Sequence, residues 1–276
     1  MKLNRRERLE IKTPAQLEWM RRAGLVVANT LARLAQEVGA GVTTADLDAI
    51  AEQAIRAAGA TPSFLGYLGF PACICVSVND EVVHGIPGSR VLADGDVVSI
   101  DCGAIVQGWH GDAAVTVAIN PTPGDSALIA ATERSLWAGL SAVAVGGHVT
   151  DIGAAVEASI RAEPARYGIV EDFVGHGIGS AMHLKPDVPN YGLPGQGAEL
   201  VPGLALAIEP MITRGTHLVR HLADDWTVVT DDASRAAHFE HTVAVTEAGP
   251  WVLTALDGGA ARFAELGIAS PAAVRG

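Results

Sequence analysis

Apolar residues recur every three or four positions in the stretch that follows Thr13-Pro14-Ala15-Gln16. Threonine is a good N-cap, proline is favoured in the first helical turn, and Gln16 completes a capping box, so a helix begins here. The spacing predicts one buried helical face that ends before Gly39 and Gly41. Its positions are Leu17, Met20, Gly24, Val27, Leu31, Leu34 and Val38. A second helix is predicted from Thr43 or Thr44 to Gly59.

Strand-like runs follow the two helices at residues 73–78, 97–100 and 113–119. The second half of the chain repeats this order. Helices are predicted over about 125–145 and 150–161, and strands near 169–174, 204–208, 226–230 and 238–245.

A shift of 105 positions aligns eight identical residues without a gap. The pairs are Leu31/Leu136, Val38/Val143, Gly41/Gly146, Asp46/Asp151, Ala49/Ala154, Glu52/Glu157, Ile55/Ile160 and Arg56/Arg161. We interpret this as a duplicated helix–helix–strand unit and expect an α+β domain with its functional site at the seam between the halves. The predicted domain covers 11–255, with halves of about 11–120 and 121–255, an N-terminal tail at 1–10 and a C-terminal extension at 256–276.

Composition restricts the class of protein. The 276 residues are 49% hydrophobic and carry a net charge of −12, which excludes global disorder and disfavours a broad nucleic-acid surface. The three cysteines and the absence of a targeting segment or a long apolar run favour a cytoplasmic protein without a membrane span. Contact of the basic N-terminus with ribosomal RNA stays open, although a solvated tail is the commoner outcome. Its basic residues are Lys2, Arg5, Arg6, Arg8 and Lys12.

Two aspartates flank a predicted hairpin turn near Val106-Gln107-Gly108. Pairing across that turn predicts Asp101 opposite Asp112, with the two carboxylates on one face of the sheet. Such a pair repels unless a proton or cations lie between them. Metal binding and a pair of surface aspartates are both consistent with this pattern.

Four further residues suggest a site. His176 follows a strand signal among glycines, and His183 lies seven residues later. Glu209 and Glu240 each interrupt an apolar strand, where an ionised carboxylate is costly unless it is paired or bound to metal. The four carboxylates balance two divalent ions, and oxygen-rich ligation with one imidazole fits Mn, Fe, Co or Zn. A dinuclear centre of this kind favours hydrolysis.

With these residues in place, the chain resembles a type I methionine aminopeptidase of the pita-bread metallopeptidase superfamily. The resemblance extends from about Ile11 to Thr246. Its motifs are residues 79–87, Ser99-Ile-Asp-Cys-Gly103, Trp109-His-Gly-Asp-Ala113, Gly175-His-Gly-Ile-Gly179, Ile208-Glu-Pro-Met211, Asp225-Trp226 and Phe239-Glu-His-Thr242. It implies a pita-bread fold, in which a pseudo-twofold pair of halves surrounds a curved, mainly antiparallel sheet.

The resemblance also implies a role for each matching residue. It implies two divalent ions bound by Asp101, Asp112, His176, Glu209 and Glu240, with Glu209 also acting as the general base. His84 and His183 are expected to contact the scissile peptide. Tyr67, Phe70, Cys75 and Trp226 are expected to line a methionine pocket. The implied activity is removal of the initiator methionine from nascent polypeptides whose second residue is small. We expect a monomer, and the net negative charge and the lack of a long apolar run lead us to expect no binding to DNA or membrane.

This sequence departs from many bacterial relatives at the rim of the site. Leu184-Lys185 stands where they carry two glutamates, Met182 replaces a frequent phenylalanine, and Phe70 replaces a frequent tyrosine. Two other functions are weighed against the first. A proline-specific aminopeptidase or dipeptidase of the same fold usually has an extra N-terminal domain, whereas here the first helix begins near residue 13. A metal-free peptide-binding module requires a damaged ligand set, whereas all five positions are intact.

Overall fold

The helices form in the predicted order, two before each main group of strands. The computed structural model describes residues 9–271. The helices are α1 (Pro14–Glu37), α2 (Thr44–Ala57), α3 (Pro123–Ser141), α4 (Val149–Arg161) and α5 (Ala260–Glu265). The strands of the first half are β1 (Thr61–Pro62), β2 (Ile74–Val78), β3 (Glu81–Val83), β4 (Val97–Val106) and β5 (Trp109–Ala118). Those of the second half are β6 (Gly168–Ile169), β7 (Gly175–Gly177), β8 (Leu184–Val188), β9 (Ala205–Ile208), β10 (Met211–Thr213), β11 (Val219–His221), β12 (Val228–Thr230), β13 (Ala236–His238), β14 (Glu240–Thr246) and β15 (Gly249–Val252).

Several of the repeated identities mark interactions that occur once in each half. Asp46 and Asp151 each accept a hydrogen bond from the backbone N–H three residues earlier, and so cap α2 and α4. An ion pair between positions four apart also occurs in both helices. The two pairs are Glu52–Arg56 and Glu157–Arg161. The sequence repeat therefore reflects a structural repeat.

A curled sheet of nine strands joins the two halves. Its main path is β1-β4-β5-β14-β9-β7-β8, with β2 paired to β4 and β15 paired to β14, and each of these pairings is antiparallel. Strands β5 and β14 form the seam, where Glu240 lies opposite Ala114. The α+β, two-half architecture is confirmed.

The helices cover one face of this sheet with two hydrophobic cores. Leu34 and Leu47 pack with Ile100 in the first half, and Leu136 and Ile152 pack with Ile208 in the second. Because side chains alternate along a strand, the neighbours of these core residues project from the opposite face. That face carries the candidate site.

Two predicted strands differ in the structure. The run at 238–245 is divided at Phe239 into β13 and β14, because the chain passes there from a three-stranded sheet to the main sheet. The run at 169–174 forms a strand only over Gly168–Ile169. His176 lies within the short strand β7, between its pairings with β8 and β9, rather than after a strand.

The segment before α1 is anchored to the body of the protein. The Lys12 side chain is buried and lies 3.4 Å from Glu10 Oε1, while Glu10 accepts hydrogen bonds from the backbone N–H and the hydroxyl of Ser180. The prediction that the basic N-terminal residues are solvated is therefore wrong for Lys12. Lys2, Arg5, Arg6 and Arg8 lie outside the described residues. Within residues 9–271, no helix has the length and apolar character that a membrane span requires.

Candidate active site and metal centre

The hairpin of β4 and β5 brings the two aspartates together, but in a register that differs from the prediction. Gln107 and Gly108 both have positive φ and form a two-residue turn, so Val106 pairs with Trp109. Asp101 therefore lies opposite Ala114, and Asp112 lies opposite Gly103. The direct pairing of Asp101 with Asp112 was wrong by two residues, a shift that preserves the face of the sheet. Both carboxyl groups therefore project from the same face of the hairpin, and repulsion from Asp101 contributes to the raised pKa of Asp112.

The two glutamates come from strand ends at the middle of the sheet. Glu209 follows β9, and Pro210 after it lacks a backbone donor, as expected where a strand stops at a cleft. Glu240 begins β14 directly after the break at Phe239. Both glutamates thus reach the same space as the aspartates of the hairpin.

His176 presents one ring nitrogen to this group. Its Nδ1 lies 3.0 Å from the carbonyl oxygen of Gly177, which can only accept a hydrogen bond. Nδ1 therefore carries the proton, and the lone pair of Nε2 faces Glu209 Oε1 at 3.6 Å. A neutral imidazole with a fixed tautomer is the form that binds a metal ion.

Burial determines the electrostatics of the centre. It raises the pKa of Asp101 to about 7, and it raises the pKa values of Asp112, Glu209 and Glu240 well above the usual carboxyl range. Repulsion from neighbouring carboxylates adds to the last three shifts. Burial also lowers the pKa of His176 to about 4, with repulsion from His183 as the second cause. Cations bound among these carboxylates would offset both causes of the raised pKa values.

Unpartnered oxygens test whether these residues fit a metal. Buried atoms without a hydrogen-bond partner in the described part of the chain include Asp101 Oδ1, Asp112 Oδ1 and Glu240 Oε1. Two groups of three residues also place ligand atoms within 4.8 Å of one another: Asp112, His176 and Glu240, and Glu209, His238 and Glu240. Buried polar atoms normally have partners, so this cluster fits divalent cations well.

The two other predicted histidines lie beside the carboxylates. His183 directly precedes β8, its ring centroid is 4.3 Å from that of His176, and its Nδ1 lies 2.8 Å from the Tyr67 hydroxyl. His84 directly follows β3 and has a φ of 60°, an uncommon conformation for a non-glycine residue and one often found at functional sites. Burial lowers the pKa of His84 to about 4, and repulsion from His183 contributes. His84 is therefore neutral near pH 7.

One cavity of about 190 Å³ contains all eleven predicted site residues. This volume is below the roughly 300–1,000 Å³ of pockets for drug-sized ligands and suits a single side chain. Phe70 and Trp226 meet edge to face at 5.0 Å between ring centroids on its apolar side, next to Cys75. Aromatic faces and a soft thiol suit a thioether.

The sequence prediction missed three residues at this site. Phe64 and Leu68 also line the cavity, and Leu68 is 82% exposed at its rim. His238 lies within the centre, with Nε2 3.8 Å from Glu209 Oε2. The spacing His238-Phe239-Glu240 gives a sequence signal for this position, because residues two apart in an extended chain share a face.

The rim carries the substitutions noted in the sequence. Met182 is buried in the apolar cluster that includes Phe64 and Cys75. Lys185 is exposed and lies 2.8 Å from Asp187 Oδ2. The replacement of an acidic residue by Lys185 therefore changes the surface charge near the entrance of the cavity and leaves the carboxylate cluster unchanged.

Comparisons with known proteins agree with this geometry. The sequence model of metallopeptidase family M24 matches residues 18–247. Methionine aminopeptidase 1 of Mycobacterium tuberculosis (strain CDC 1551) is 52% identical over 249 residues, which cover 88% of this chain and 94% of that protein. The crystal structure of methionine aminopeptidase from Thermotoga maritima superposes with a TM-score of 0.87 at 38% identity, covering 90% of this chain and 99% of the other.

A more distant structure separates fold from function. Prolidase from Pyrococcus furiosus superposes with a TM-score of 0.71 at 19% identity, and the match covers 89% of this chain but 65% of that one. At this identity the likeness extends only to the fold. The chain therefore matches the methionine aminopeptidases over nearly their full length, and the prolidase over only part of its length.

Proposed function

The chain belongs to metallopeptidase family M24, among its methionine aminopeptidases, and on this premise we propose that it removes the N-terminal methionine from peptides and nascent proteins whose second residue is small. The observation that carries the proposal is one cavity whose lining joins four carboxylates, two of them buried (Asp112 and Glu240), and the imidazole of His176 to an aromatic pocket with a thiol.

Membership of the family implies that the protein uses divalent metal. We propose two ions per chain, drawn from Co, Mn, Fe or Zn, held by Asp101, Asp112, His176, Glu209 and Glu240. Four carboxylates carry the charge that two divalent ions balance, and the unpartnered oxygens supply free ligand atoms. When bound, such ions lower the pKa of water and polarise a carbonyl group.

The protein's own side chains perform the remaining tasks. Glu209 accepts the proton of the attacking water and delivers it to the leaving amine. His84 and His183, one from each half of the chain, hold the carbonyl oxygen of the scissile peptide and stabilise the tetrahedral intermediate. The Tyr67 hydroxyl fixes the ring of His183.

Specificity arises from the pocket and its rim. Tyr67, Phe70, Cys75 and Trp226 enclose the methionine side chain, and Phe64 and Leu68 extend the same apolar lining. We propose that the rim around Leu68 restricts the second residue of the substrate to small side chains. Partners are then the N-termini of nascent polypeptides that begin with methionine.

A peptide panel tests this function against the proline-specific alternative. Metal-stripped protein is reloaded with Co(II) or Mn(II) and offered Met-Ala-Ser, Met-Leu-Ser and Ala-Pro-Ser. Fast release of methionine from Met-Ala-Ser alone is expected. Equal cleavage of Met-Leu-Ser contradicts the restriction at the second residue, and preference for Ala-Pro-Ser supports the alternative.

A further inference from the structure

An imidazole outside the predicted ligand set lies inside the metal centre. His238 is 2% exposed, and its Nε2 is a buried polar atom without a hydrogen-bond partner among residues 9–271. The backbone on both sides of this ring is fixed by Thr116, whose hydroxyl accepts from His238 N–H at 2.9 Å and donates to His238 C=O at 2.7 Å. A buried, unpartnered donor or acceptor on fixed backbone needs an explanation.

The ring of His238 faces the residue that has two proposed tasks. The two oxygens of Glu209 are flanked by two imidazoles, with His176 Nε2 3.6 Å from Oε1 and His238 Nε2 3.8 Å from Oε2. Asn190 Nδ2 donates to the Glu209 carbonyl at 3.1 Å, which fixes the backbone. In the described part of the chain, neither carboxylate oxygen of Glu209 receives a hydrogen bond, so the side chain lacks a comparable anchor.

We propose that His238 is a positioning residue whose Nε2–H closes the 3.8 Å gap to Oε2 of Glu209 when metal is bound, donates a hydrogen bond there, and so holds Oε1 on the side of His176. A neutral donor leaves the balance of four carboxylates against two divalent ions unchanged. The hydrogen bond from His238 also uses Oε2, the Glu209 oxygen that does not face the predicted ligand His176. Hydrogen bonds of this kind orient metal-binding carboxylates and commonly contribute about 10-fold to 100-fold in metal affinity or activity. The inference rests on the proposed function, because it assigns the orientation of the proposed general base.

Two substitutions at this position separate donation from packing. His238→Leu removes the donor at similar size, and His238→Gln restores an N–H donor. The control is His241→Leu, which removes a half-buried histidine whose Nδ1 lies 2.8 Å from Thr254 Oγ1 and whose ring meets Trp137 edge to face. Each stripped protein is titrated with Co(II) by calorimetry, and kcat and KM are measured on Met-Ala-Ser after loading.

We expect His238→Leu to bind the wild-type number of Co(II) ions with about 10-fold to 100-fold weaker affinity, and its kcat to fall by a similar factor at little-changed KM. His238→Gln should recover most of both losses, and His241→Leu should show neither. Wild-type affinity and kcat in His238→Leu would overturn the proposal. Loss of one Co(II) ion from both His238 variants would also overturn it and identify His238 as a direct ligand.

The two proposals fail in distinguishable ways. If wild-type protein released no methionine, the proposed function would be wrong, while the affinity difference between His238→Leu and His238→Gln would still decide the role of His238. If wild-type protein cleaves Met-Ala-Ser and both variants match it in affinity and turnover, only the positioning role is wrong.

Discussion

Thr242 fixes the backbone of Asp112 through one hydroxyl group. Its Oγ1 donates to the Asp112 carbonyl at 2.8 Å and accepts from the Asp112 N–H at 3.1 Å. The backbone pairing between β5 and β14 includes Ala113 and Ala114, so the hydroxyl extends the seam to a predicted metal ligand. The two halves of the chain therefore meet at the centre through a side chain as well as through backbone.

Removing this hydroxyl should weaken both the fold and the centre. Thr242→Val keeps the shape of the side chain but leaves two buried backbone groups of Asp112 unpaired, which should cost about 1–3 kcal/mol of unfolding free energy. Urea denaturation of metal-free protein measures the loss, and calorimetry should show weaker Co(II) binding. Thr132→Val is the control, because that buried hydroxyl donates within its own helix, to Leu128 C=O. Equal losses in both variants would argue against a special role for the seam.

His84 and His183, the two histidines proposed to contact the substrate, should affect turnover without affecting metal content. His84→Ala and His183→Ala each remove a proposed donor to the scissile carbonyl, so kcat should fall by about 10²–10³. Metal content, measured by atomic absorption on the purified variants, should stay near that of wild type. Metal loss in either variant would mean that the residue is a ligand.

Glu209→Gln should separate the two proposed tasks of Glu209. Glutamine keeps one acceptor oxygen for a metal ion but cannot take a proton, so kcat should fall by about 10²–10⁴ while partial metal occupancy persists. The test measures kcat at saturating Co(II) and the metal content of the same sample. Near-normal turnover in the loaded variant would place proton transfer elsewhere, with His183 as the next candidate.

Much of the site was predictable because its residues interrupt patterns that otherwise describe a core. Asp101 after an apolar run and Glu209 before Pro210 are costly in a strand, and that cost indicates chemistry. The register of the hairpin was not predictable, since it depends on whether the two-residue turn lies at Val106-Gln107 or at Gln107-Gly108, and moving the turn by one position shifts the pairing by two residues. His238 was missed because its signal, a spacing of two residues from Glu240, was not used once Glu240 had been assigned to the site.

The basic N-terminus shows a different limit of prediction from sequence. Composition alone treats Lys12 as one of five similar charges, whereas the fold buries it against Glu10. Glu10 accepts a hydrogen bond from Ser180 N–H, and Lys12 N–H donates to the carbonyl of Gly203. Both contacts join residues that are far apart in the sequence, so no local pattern predicts them.

Acid should weaken the link between α3 and the strands of the second half. Burial alone raises the pKa of Asp125, but hydrogen bonds from Thr122 and the positive charges of Arg235 and Arg214 outweigh it and hold the pKa below its usual value. Because the pKa of Asp125 is lower in the folded than in the unfolded protein, its ionised carboxylate stabilises the fold at pH values above the unfolded pKa. This stabilisation is lost as the pH falls through the folded pKa.

Asp125→Asn should therefore cost about 1–2 kcal/mol at pH 7, since it removes the charge that Arg214 and Arg235 pair with while both arginines remain partly exposed to solvent, and the difference from wild type should narrow below about pH 4. Urea denaturation from pH 7 to pH 3 measures this. Asp187→Asn, which removes an exposed pair with Lys185, is the control and should cost less than about 1 kcal/mol. A difference for Asp125→Asn that stays constant with pH would show that charge is not its cause.

The central claim is that a metal-loaded carboxylate centre in this chain removes N-terminal methionine. The most direct test is to titrate metal-stripped protein with Co(II) while following methionine release from Met-Ala-Ser by mass spectrometry. We predict no release from the stripped protein, release that rises with bound Co(II), and none from Asp112→Ala at any Co(II) concentration. Full activity in the stripped protein, or wild-type activity in Asp112→Ala, would contradict the claim.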